Sequence, residues 1–459
     1  MLQKHHLLLF WRGGELQITN RTVFILAIGL LWLFQIIVRV KFSIYAAEVN
    51  NLSGDQSGYR ILCDIFSVWW RIGNCERLPL YPFFLFVVSR VCRFLLLSDL
   101  FILLVFLIQH FIVLISMHLM STLAYKIKGN LKYYAVVFGV MSFYYPFILH
   151  PNGFLTESLY MFTMVISVYS MCASIFEFSS GISKKAYVYY LSSAFFLALT
   201  ALVRPNIALF LVVLCPVLFA INRTSFKLYP LYLIVFMAVL TPWFLRNYSI
   251  YGKVCYSSVV GENLYQSNHM SPRADYGMNL LIMAQRKKDD KNLENLGIGR
   301  MENTIKSFMN RKDVERDMQY YAQGMYDIMW FSNYDFADYY WKKIKGVAFE
   351  YFKAGSLEYS YSGILPQNLP LPNVFNSLYH IVLVVLSFFY LVKKCFRVQG
   401  VEFVFLSLLI YEAFISLFAP SFPRIHLPYL PFLFYFSAMG FIELFTFYRQ
   451  QWNKQLLNA

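Results

Sequence analysis

The sequence predicts an all-α polytopic integral membrane protein, a bundle of about ten transmembrane helices with a large external insert. Two observations support this fold class. Hydrophobic residues occupy 58% of the 459 positions and charged residues only 14%, whereas soluble domains average about 45–50% and 25%. Apolar runs of the length that crosses a bilayer, about 20 residues, also recur along the chain. Much of the apolar surface is therefore expected to face lipid.

Ten apolar runs fit membrane-spanning helices. They are predicted at 22–40, 98–119, 132–150, 157–177, 187–203, 205–222, 229–246, 373–392, 400–419 and 427–447. We expect long loops on the outer side, at 41–97 and 247–372, and a short one at 151–156.

Three regions follow from this arrangement: an N-terminal transmembrane module at 1–246, an extracytoplasmic insert at 247–372, and C-terminal transmembrane helices with a cytoplasmic tail at 373–459. The second half of the first loop is apolar but interrupted by prolines and arginines, which favours an interfacial or re-entrant helix. The insert is expected to have α or mixed structure, with helices around 311–329 and 335–353.

The net charge of +15 is explained by orientation in the membrane. With ten spans, six basic segments fall on one side of the membrane, which the positive-inside rule assigns to the cytoplasm. We therefore expect no nucleic-acid partner. The basic residues are Lys126, Lys128, Lys184, Lys185, Arg223, Lys227, Lys393, Lys394, Arg397, Arg449, Lys454 and those of the N-terminus.

Two acidic residues fall on the opposite, outer face. Asp55 lies just beyond the first span, and Glu157 lies where a short outer loop enters the fourth span. Each has an ordinary structural explanation, since aspartate caps helices and glutamate is favoured in a first helical turn. Their shared depth predicts a polar site at the outer membrane surface.

Four arginines also gather at the outer ends of the spans: Arg77, Arg204, Arg246 and Arg424. Each alone is consistent with a side chain that extends toward lipid headgroups. Together they run against the positive-inside trend. Because the planar guanidinium donates two parallel hydrogen bonds, arginine is well suited to bind phosphate.

Other polar residues leave alternatives open. Glu412 lies within a predicted span and should face the protein interior, without a specific role. His150 is either a satisfied interfacial histidine or a ligand or proton carrier. Cys63 and Cys75 share an outer loop and either form a disulfide or remain thiols. The sequence has no zinc-type spacing of His and Cys.

Several short motifs resemble, in the same order, segments of the GT-C superfamily of polyprenyl-phosphate-sugar glycosyltransferases. They are GDQSGYRILCD with Asp55 and Tyr59, RLPLYPFFL from Arg77, TESLY, LVRPN, PWFLRNYSIYG and PRIHLPYLP. The resemblance is strongest over 20–270, to bacterial enzymes akin to protein O-mannosyltransferases, lipid A aminoarabinose transferases and core galacturonosyltransferases. The chain departs from the pattern at Gln56, where many relatives have a second acid, and at Leu78, where they have proline.

This resemblance implies an enzyme that moves a hexosyl or pentosyl group from a polyprenyl-phosphate donor, undecaprenyl- or dolichyl-linked, to an acceptor hydroxyl with inversion. Asp55 would accept the hydroxyl proton, and the four arginines would neutralise the leaving phosphate. Glu157 would orient the acceptor, tune an arginine or bind a metal. Tyr59, Tyr81 and His150 would line the substrate site.

The resemblance leaves the acceptor open among lipid, glycan and protein. It implies no certain cofactor, and a divalent metal remains open. It places the protein in a bacterial inner membrane with the site on the periplasmic side. Two other classes remain: a transporter or flippase of lipid-linked sugars, and an outer-face polysaccharide polymerase. Transporters place polar sites near the membrane midplane in repeated halves, so the clustering at one surface favours the enzyme.

Overall fold

The computed structural model describes residues 11–12, 15–16, 20–49, 55–181, 183–268, 313–334, 336–353, 370–394, 398, 400–418 and 426–458. These residues are mostly helical, and the dipeptide strands Trp11–Arg12 and Glu15–Leu16 pair antiparallel.

The α-helices are α1 Asn20–Val49, α2 Asp55–Asp64, α3 Phe66–Ile72, α4 Leu80–Phe94, α5 Phe101–Lys128, α6 Leu131–Ser142, α7 Pro146–Leu149, α8 Glu157–Ser180, α9 Lys184–Val203, α10 Phe210–Ile221, α11 Arg223–Lys227, α12 Tyr229–Tyr251, α13 Val260–Asn268, α14 Asp313–Tyr334, α15 Phe336–Lys353, α16 Pro370–Lys393, α17 Glu402–Ser416 and α18 Leu430–Asn458. Short 3-10 helices are Ser98–Leu100, His150–Asn152, Pro205–Leu209 and Leu427–Tyr429.

The predicted fold class, an all-α polytopic membrane protein, is confirmed. Seven of the described helices are long and apolar enough to cross a membrane. An eighth crossing results if α6 and the segment Pro146–Asn152, which are bent by 72°, form one broken span. Pro146 begins the second part, because proline lacks the N–H that would continue the hydrogen-bond ladder.

The two remaining predicted spans are shorter helices. The span at 205–222 corresponds to the apolar segment Pro205–Ile221, and that at 400–419 corresponds to α17, which has 15 residues. All ten predicted spans therefore coincide with helices, although length and composition alone single out seven or eight of them.

Helix α8 lies at the centre of the bundle. Within its most apolar window 78% of the residues are buried, against 11% in α1. It packs along α5 and α9 and reaches the start of the last span. Because α8 is enclosed on several sides, the acid in its first turn, Glu157, is removed from lipid.

The basic ends of the helices lie together. Lys128 at the end of α5 is 2.6 Å from Glu402 at the start of α17, and Lys393 at the end of α16 is 2.7 Å from Glu443 in α18. These ion pairs join the ends that the charge pattern assigned to the cytoplasm. Near the other end of α17, Glu412 and Ser416 line a cavity.

The described part of the insert is helical, as predicted for its two helical stretches. Helix α13 crosses α14 at two glycines: a Cβ on Gly261 would lie 1.9 Å from the Asp317 carbonyl oxygen, and one on Gly324 would lie 3.0 Å from the Tyr265 nitrogen. The Asp317 side chain also accepts a hydrogen bond of 2.9 Å from the Glu262 backbone N–H. Small residues at the crossing therefore allow two helix backbones to touch.

Candidate active site

A cavity of about 250 Å³ opens where the outer ends of several helices meet. Its walls come from the start of α2, the loop before α4, the start of α8, the end of α9, the start of α13 and the end of α17. The lining residues are Asp55, Tyr59, Glu76, Arg77, Leu78, Leu155, Thr156, Glu157, Val203, Arg204, Pro205, Asn206, Val259, Asn263, Glu412, Ile415 and Ser416.

The first polar pair in the cavity is Asp55 with Arg77. Arg77 Nη2 donates to Asp55 Oδ1 at 2.8 Å, and the two side chains are 28% and 32% exposed. The Arg77 guanidinium also lies over the ring of Tyr59, 5.1 Å from its centre. Burial alone would lower the pKa of Arg77, but Tyr59, Asp55 and Glu76 raise it above its ordinary value. A fixed cation therefore stands beside a solvent-accessible carboxylate.

The second polar pair is Glu157 with Arg204. Arg204 Nη2 lies 2.6 Å from Glu157 Oε1, and Arg204 Nε donates to Thr156 Oγ1 at 2.8 Å. The Glu157 side chain is only 1% exposed and that of Arg204 is 18% exposed. Arg204 ends α9 in an extended conformation because the next residue is Pro205, which disfavours a helical backbone before it. The local sequence thus turns the guanidinium toward the start of α8.

Gln56 holds the two outer loops together. Its Oε1 accepts a hydrogen bond of 3.2 Å from the Phe154 backbone N–H. A Cβ on Gly153 would lie 3.0 Å from the same oxygen, so the backbone there approaches closely. The position at which many relatives carry a second acid is used here to attach α2 to the loop before α8.

Glu76 and Glu412 also line the cavity, although the sequence did not predict them there. Glu76 lines it beside Arg77; its position directly before a predicted site arginine was an available signal. Glu412 also lines it, and its carboxylate accepts hydrogen bonds from Ser416 Oγ, at 3.0 Å, and pairs with buried His426. The expectation that Glu412 faces the protein interior agrees with its burial, but only the structure connects it to the cavity.

Tyr81 and His150 are buried side chains away from the cavity surface. Tyr81 is fully buried, donates to Gln109 Oε1 at 3.1 Å and packs edge-to-face on Tyr59. His150 is buried in the 3-10 helix before the short loop. Neither belongs to the residues that form the cavity surface, so of the three predicted lining residues the structure brings Tyr59 alone to the site.

Arg246 does not line the cavity, in contrast to the expectation that it binds phosphate. Its five N–H groups are directed at the end of α3 and at Asn247: Nε donates to the Trp70 carbonyl, Nη2 to those of Trp69 and Gly73, and Nη1 to that of Asn74 and to Asn247 Oδ1. A helix C-terminus leaves carbonyl oxygens without intrahelical donors. Arg246 donates to these oxygens and to Asn247, and these contacts occupy its N–H groups.

Two further predictions concern Arg424 and the pair Cys63 and Cys75. Arg424 lies in 419–425, outside the described residues. Cys63 and Cys75 do not form a disulfide with each other: both are buried thiols, and the Cys75 sulfur instead lies 2.9 Å from that of Cys255.

The donor set at the cavity does not by itself match a divalent-metal site. Within the described residues, no group of three or more His, Cys, Asp or Glu side chains converges, and Asp55 and Glu157 are each paired with an arginine. A divalent metal at this cavity stays a prediction from the resemblance.

An apolar groove of about 290 Å³ adjoins the cavity. Leu78 and Val203 line the cavity, while their chain neighbours Pro79 and Leu202 line the groove. The groove surface is almost entirely apolar and consists of Phe66, Trp70, Pro79, Leu80, Phe83, Leu202, Val239, Pro242 and Trp243. A ligand with a charged head and an apolar tail fits this pairing of surfaces.

Comparison with solved structures gives two similar proteins. One is the archaeal oligosaccharyltransferase AglB from Archaeoglobus fulgidus, in complex with an inhibitory peptide and a dolichol-phosphate, at 13% identity and a TM-score of 0.46, covering 92% of this chain and 52% of that one. The other is ArnT from Cupriavidus metallidurans in the apo state, at 13% identity and a TM-score of 0.41, covering 92% and 78%. The chain thus spans about half the length of the archaeal protein. Neither protein-family models nor curated proteins give a match.

Proposed function

We propose that this protein is a membrane glycosyltransferase that moves a hexosyl or pentosyl group from a polyprenyl-phosphate donor to an acceptor hydroxyl, with inversion, on the extracytoplasmic face. The observation that supports it best is the cavity itself. It holds two carboxylate–guanidinium pairs, Asp55–Arg77 and Glu157–Arg204, beside an apolar groove. The archaeal protein named above was solved with a dolichol-phosphate, the ligand class proposed here.

The reaction needs a base and a stabilised leaving group. The acceptor oxygen bonds to the anomeric carbon as the bond from that carbon to the phosphate oxygen breaks, and a carboxylate takes the hydroxyl proton. Such proton transfer contributes typically about 10²–10⁴-fold. Negative charge develops on the departing polyprenyl phosphate, where preoriented guanidinium groups stabilise it most.

Exposure separates the roles of the two carboxylates. The Asp55 side chain is 32% exposed, and that of Glu157 is 1% exposed. Asp55 is accessible to an incoming hydroxyl and is therefore assigned as the base. Glu157 is enclosed against Arg204, so it is assigned as the residue that positions this guanidinium for the phosphate.

Each arginine keeps N–H donors for the donor phosphate. Arg77 uses Nη2 on Asp55, and Arg204 uses Nη2 and Nε on Glu157 and Thr156. A guanidinium has five N–H donors, so both keep N–H groups for a further anion. The isoprenoid chain is then expected to run from Leu78 and Val203 into the adjoining groove.

The position of the cavity within the bundle favours an outer-face site. Within α17, Glu402 in the first turn pairs with Lys128, whereas Glu412 and Ser416 near the helix end line the cavity. The positive-inside rule assigns the lysine-rich ends to the cytoplasm, so the cavity belongs to the other side. In a bacterial cell this would be the periplasmic face of the inner membrane.

Of the two competing classes, the transporter or flippase fits the site less well. A transporter or flippase is expected to hold its polar residues near the midplane on broken helices, whereas these residues lie at helix ends. A polysaccharide polymerase of the outer face would have the same topology as the proposed glycosyltransferase. The two differ in their product, which is a long repeating chain for the polymerase and a single added sugar for the glycosyltransferase.

Mass spectrometry of envelope lipids and glycans tests the proposal, in cells with and without the gene. We expect one class of acceptor to lose a fixed mass equal to a single hexosyl or pentosyl group when the gene is deleted, and to regain it on complementation. Loss of long repeating chains would indicate the polymerase. Unchanged acceptors together with an altered sidedness of lipid-linked sugars would indicate the flippase.

A further inference from the structure

Cys75 and Cys255 meet at the outer end of the bundle although 180 residues separate them. Their sulfur atoms lie 2.9 Å apart. A disulfide holds its sulfurs at about 2.05 Å, so bond formation requires them to approach by only about 0.9 Å. Both thiols are buried.

The backbones around the two thiols are already joined. The Cys75 carbonyl accepts a hydrogen bond of 3.2 Å from the Ser258 N–H, and the Cys255 carbonyl accepts one of 2.8 Å from Asn247 Nδ2. Arg246, next to Asn247, binds the Gly73 and Asn74 carbonyls just before Cys75. The thiols are therefore held facing each other by contacts that do not involve sulfur.

We propose that Cys75 and Cys255 form a disulfide in the mature protein, and that this bond fixes the two outer segments that carry one side of the cavity. Glu76, Arg77 and Leu78 follow Cys75 directly, and Val259 and Asn263 follow Cys255 by a few residues. A bond between the cysteines ties the segment that presents Arg77 to the segment that forms the facing wall.

The disulfide requires that the loops with Cys75 and Cys255 lie on the extracytoplasmic side of the membrane, whatever sugar is transferred. Disulfides persist in oxidising compartments and are rare in the cytosol, so this bond is expected only if the cavity faces outward. The two thiols lose two protons and two electrons. One cysteine first attacks the disulfide of an extracytoplasmic protein oxidant and forms a mixed disulfide with it. The second cysteine then attacks this mixed disulfide and releases the oxidant as a dithiol, which takes up the two electrons and two protons.

The thiolate is the reactive form in this exchange, and it must be accessible to the oxidant. Because both side chains are buried once the chain is folded, the oxidant acts while the outer segments are assembling.

Peptide mapping tests the bond directly in the full-length protein. Cells are denatured and alkylated with N-ethylmaleimide without reductant, and the protein is digested with trypsin. The three cysteines that the test compares fall in separate peptides: 61–71 with Cys63, 72–77 with Cys75, and 254–273 with Cys255. We expect 72–77 linked to 254–273, and 61–71 alkylated.

Recovery of Cys75 and Cys255 as alkylated thiols from cells grown in air would overturn the proposal, as would a link from either of them to Cys63. The mapping is independent of catalysis. A linked pair in a protein that transfers no sugar would leave the disulfide intact and remove the proposed enzyme function, and the converse result would do the opposite.

A second measurement reports what the bond does. A reductant should lower the Tm of the wild-type protein, and of the Cys63→Ser control, by about 5 °C. It should leave the Tm of the Cys75→Ser/Cys255→Ser variant unchanged, because that variant has no bond to lose. An equal reductant effect on all three proteins would contradict the assignment.

Discussion

The ion pair between Glu157 and Arg204, 2.6 Å long, joins the first residue of one helix to the residue that ends the next. It links the outer ends of α8 and α9 at a cavity wall, and the second pair, Asp55–Arg77, lies in the same cavity. The local sequence accounts for both placements, since Pro205 ends the helical backbone at Arg204 and α2 begins at Asp55.

Replacing Arg204 by lysine should weaken binding of the phosphate headgroup. Lysine keeps the charge but loses the planar fork that reaches Glu157 and Thr156 together. A hydrogen bond to a charged group contributes about 1.5–3 kcal/mol, so we expect undecaprenyl phosphate to bind the purified Arg204→Lys variant about tenfold or more weakly.

Arg71→Lys is the matched control, because Arg71 is exposed on α3. Its affinity for undecaprenyl phosphate should equal that of the wild type. Equal losses in both variants would point to a general charge effect and not to a site at Arg204.

Arg246→Gln should destabilise the protein and not selectively remove ligand binding. The substitution removes the guanidinium donors from the Trp70 and Asn74 carbonyl oxygens, and each buried unsatisfied group costs about 1–3 kcal/mol. Thermal unfolding in detergent should show a clear drop in Tm. A variant with wild-type Tm that no longer binds undecaprenyl phosphate would restore Arg246 as a phosphate ligand.

Gln56 should act through its oxygen, as the acceptor for the Phe154 N–H. Gln56→Leu has a similar size but no acceptor, so we expect it to lower both Tm and sugar transfer. Gln56→Glu keeps the acceptor oxygen and should retain more of each. If the two variants behave alike, the hydrogen bond between the outer loops has no measurable role.

Gly261→Ala should separate α13 from α14. The added methyl would lie 1.9 Å from the Asp317 carbonyl oxygen, so one of the two backbones must move. We expect faster limited proteolysis within the insert and a lower Tm. Gly29→Ala is the control, because nothing lies within 4 Å of its added Cβ and alanine favours a helix over glycine; it should match the wild type.

The helices and the side of the membrane on which each loop lies could be predicted from apolar length and loop charge. The ten apolar runs all coincide with helices, and the residues Asp55, Tyr59, Arg77, Glu157 and Arg204 do line one cavity. The helix predictions are confirmed because apolar length and loop charge depend on local sequence and on the membrane. The roles of the five cavity residues stay predictions.

What the sequence could not predict depends on contacts between distant segments. Arg246 has the same local appearance as Arg204, yet its donors meet the end of α3, more than 170 residues away in the chain. The partner of Cys75 is Cys255 and not the nearby Cys63. Glu412 reaches the cavity only through the packing of α17 against its neighbours. A single sequence does not indicate which distant residues will contact each other.

The proposed mechanism requires Asp55 to act as the base. The decisive measurement is the rate at which sugar-modified acceptor accumulates after induction, by mass spectrometry, in deletion cells complemented with wild type, Asp55→Asn or Asp64→Asn at equal protein levels. Asp64 lies at the other end of α2 and forms a surface ion pair with Arg60, so it controls for loss of one carboxylate from the same helix. We expect Asp64→Asn to restore the wild-type rate and Asp55→Asn to reduce it by about 10²-fold or more. A wild-type rate with Asp55→Asn would contradict the proposed mechanism.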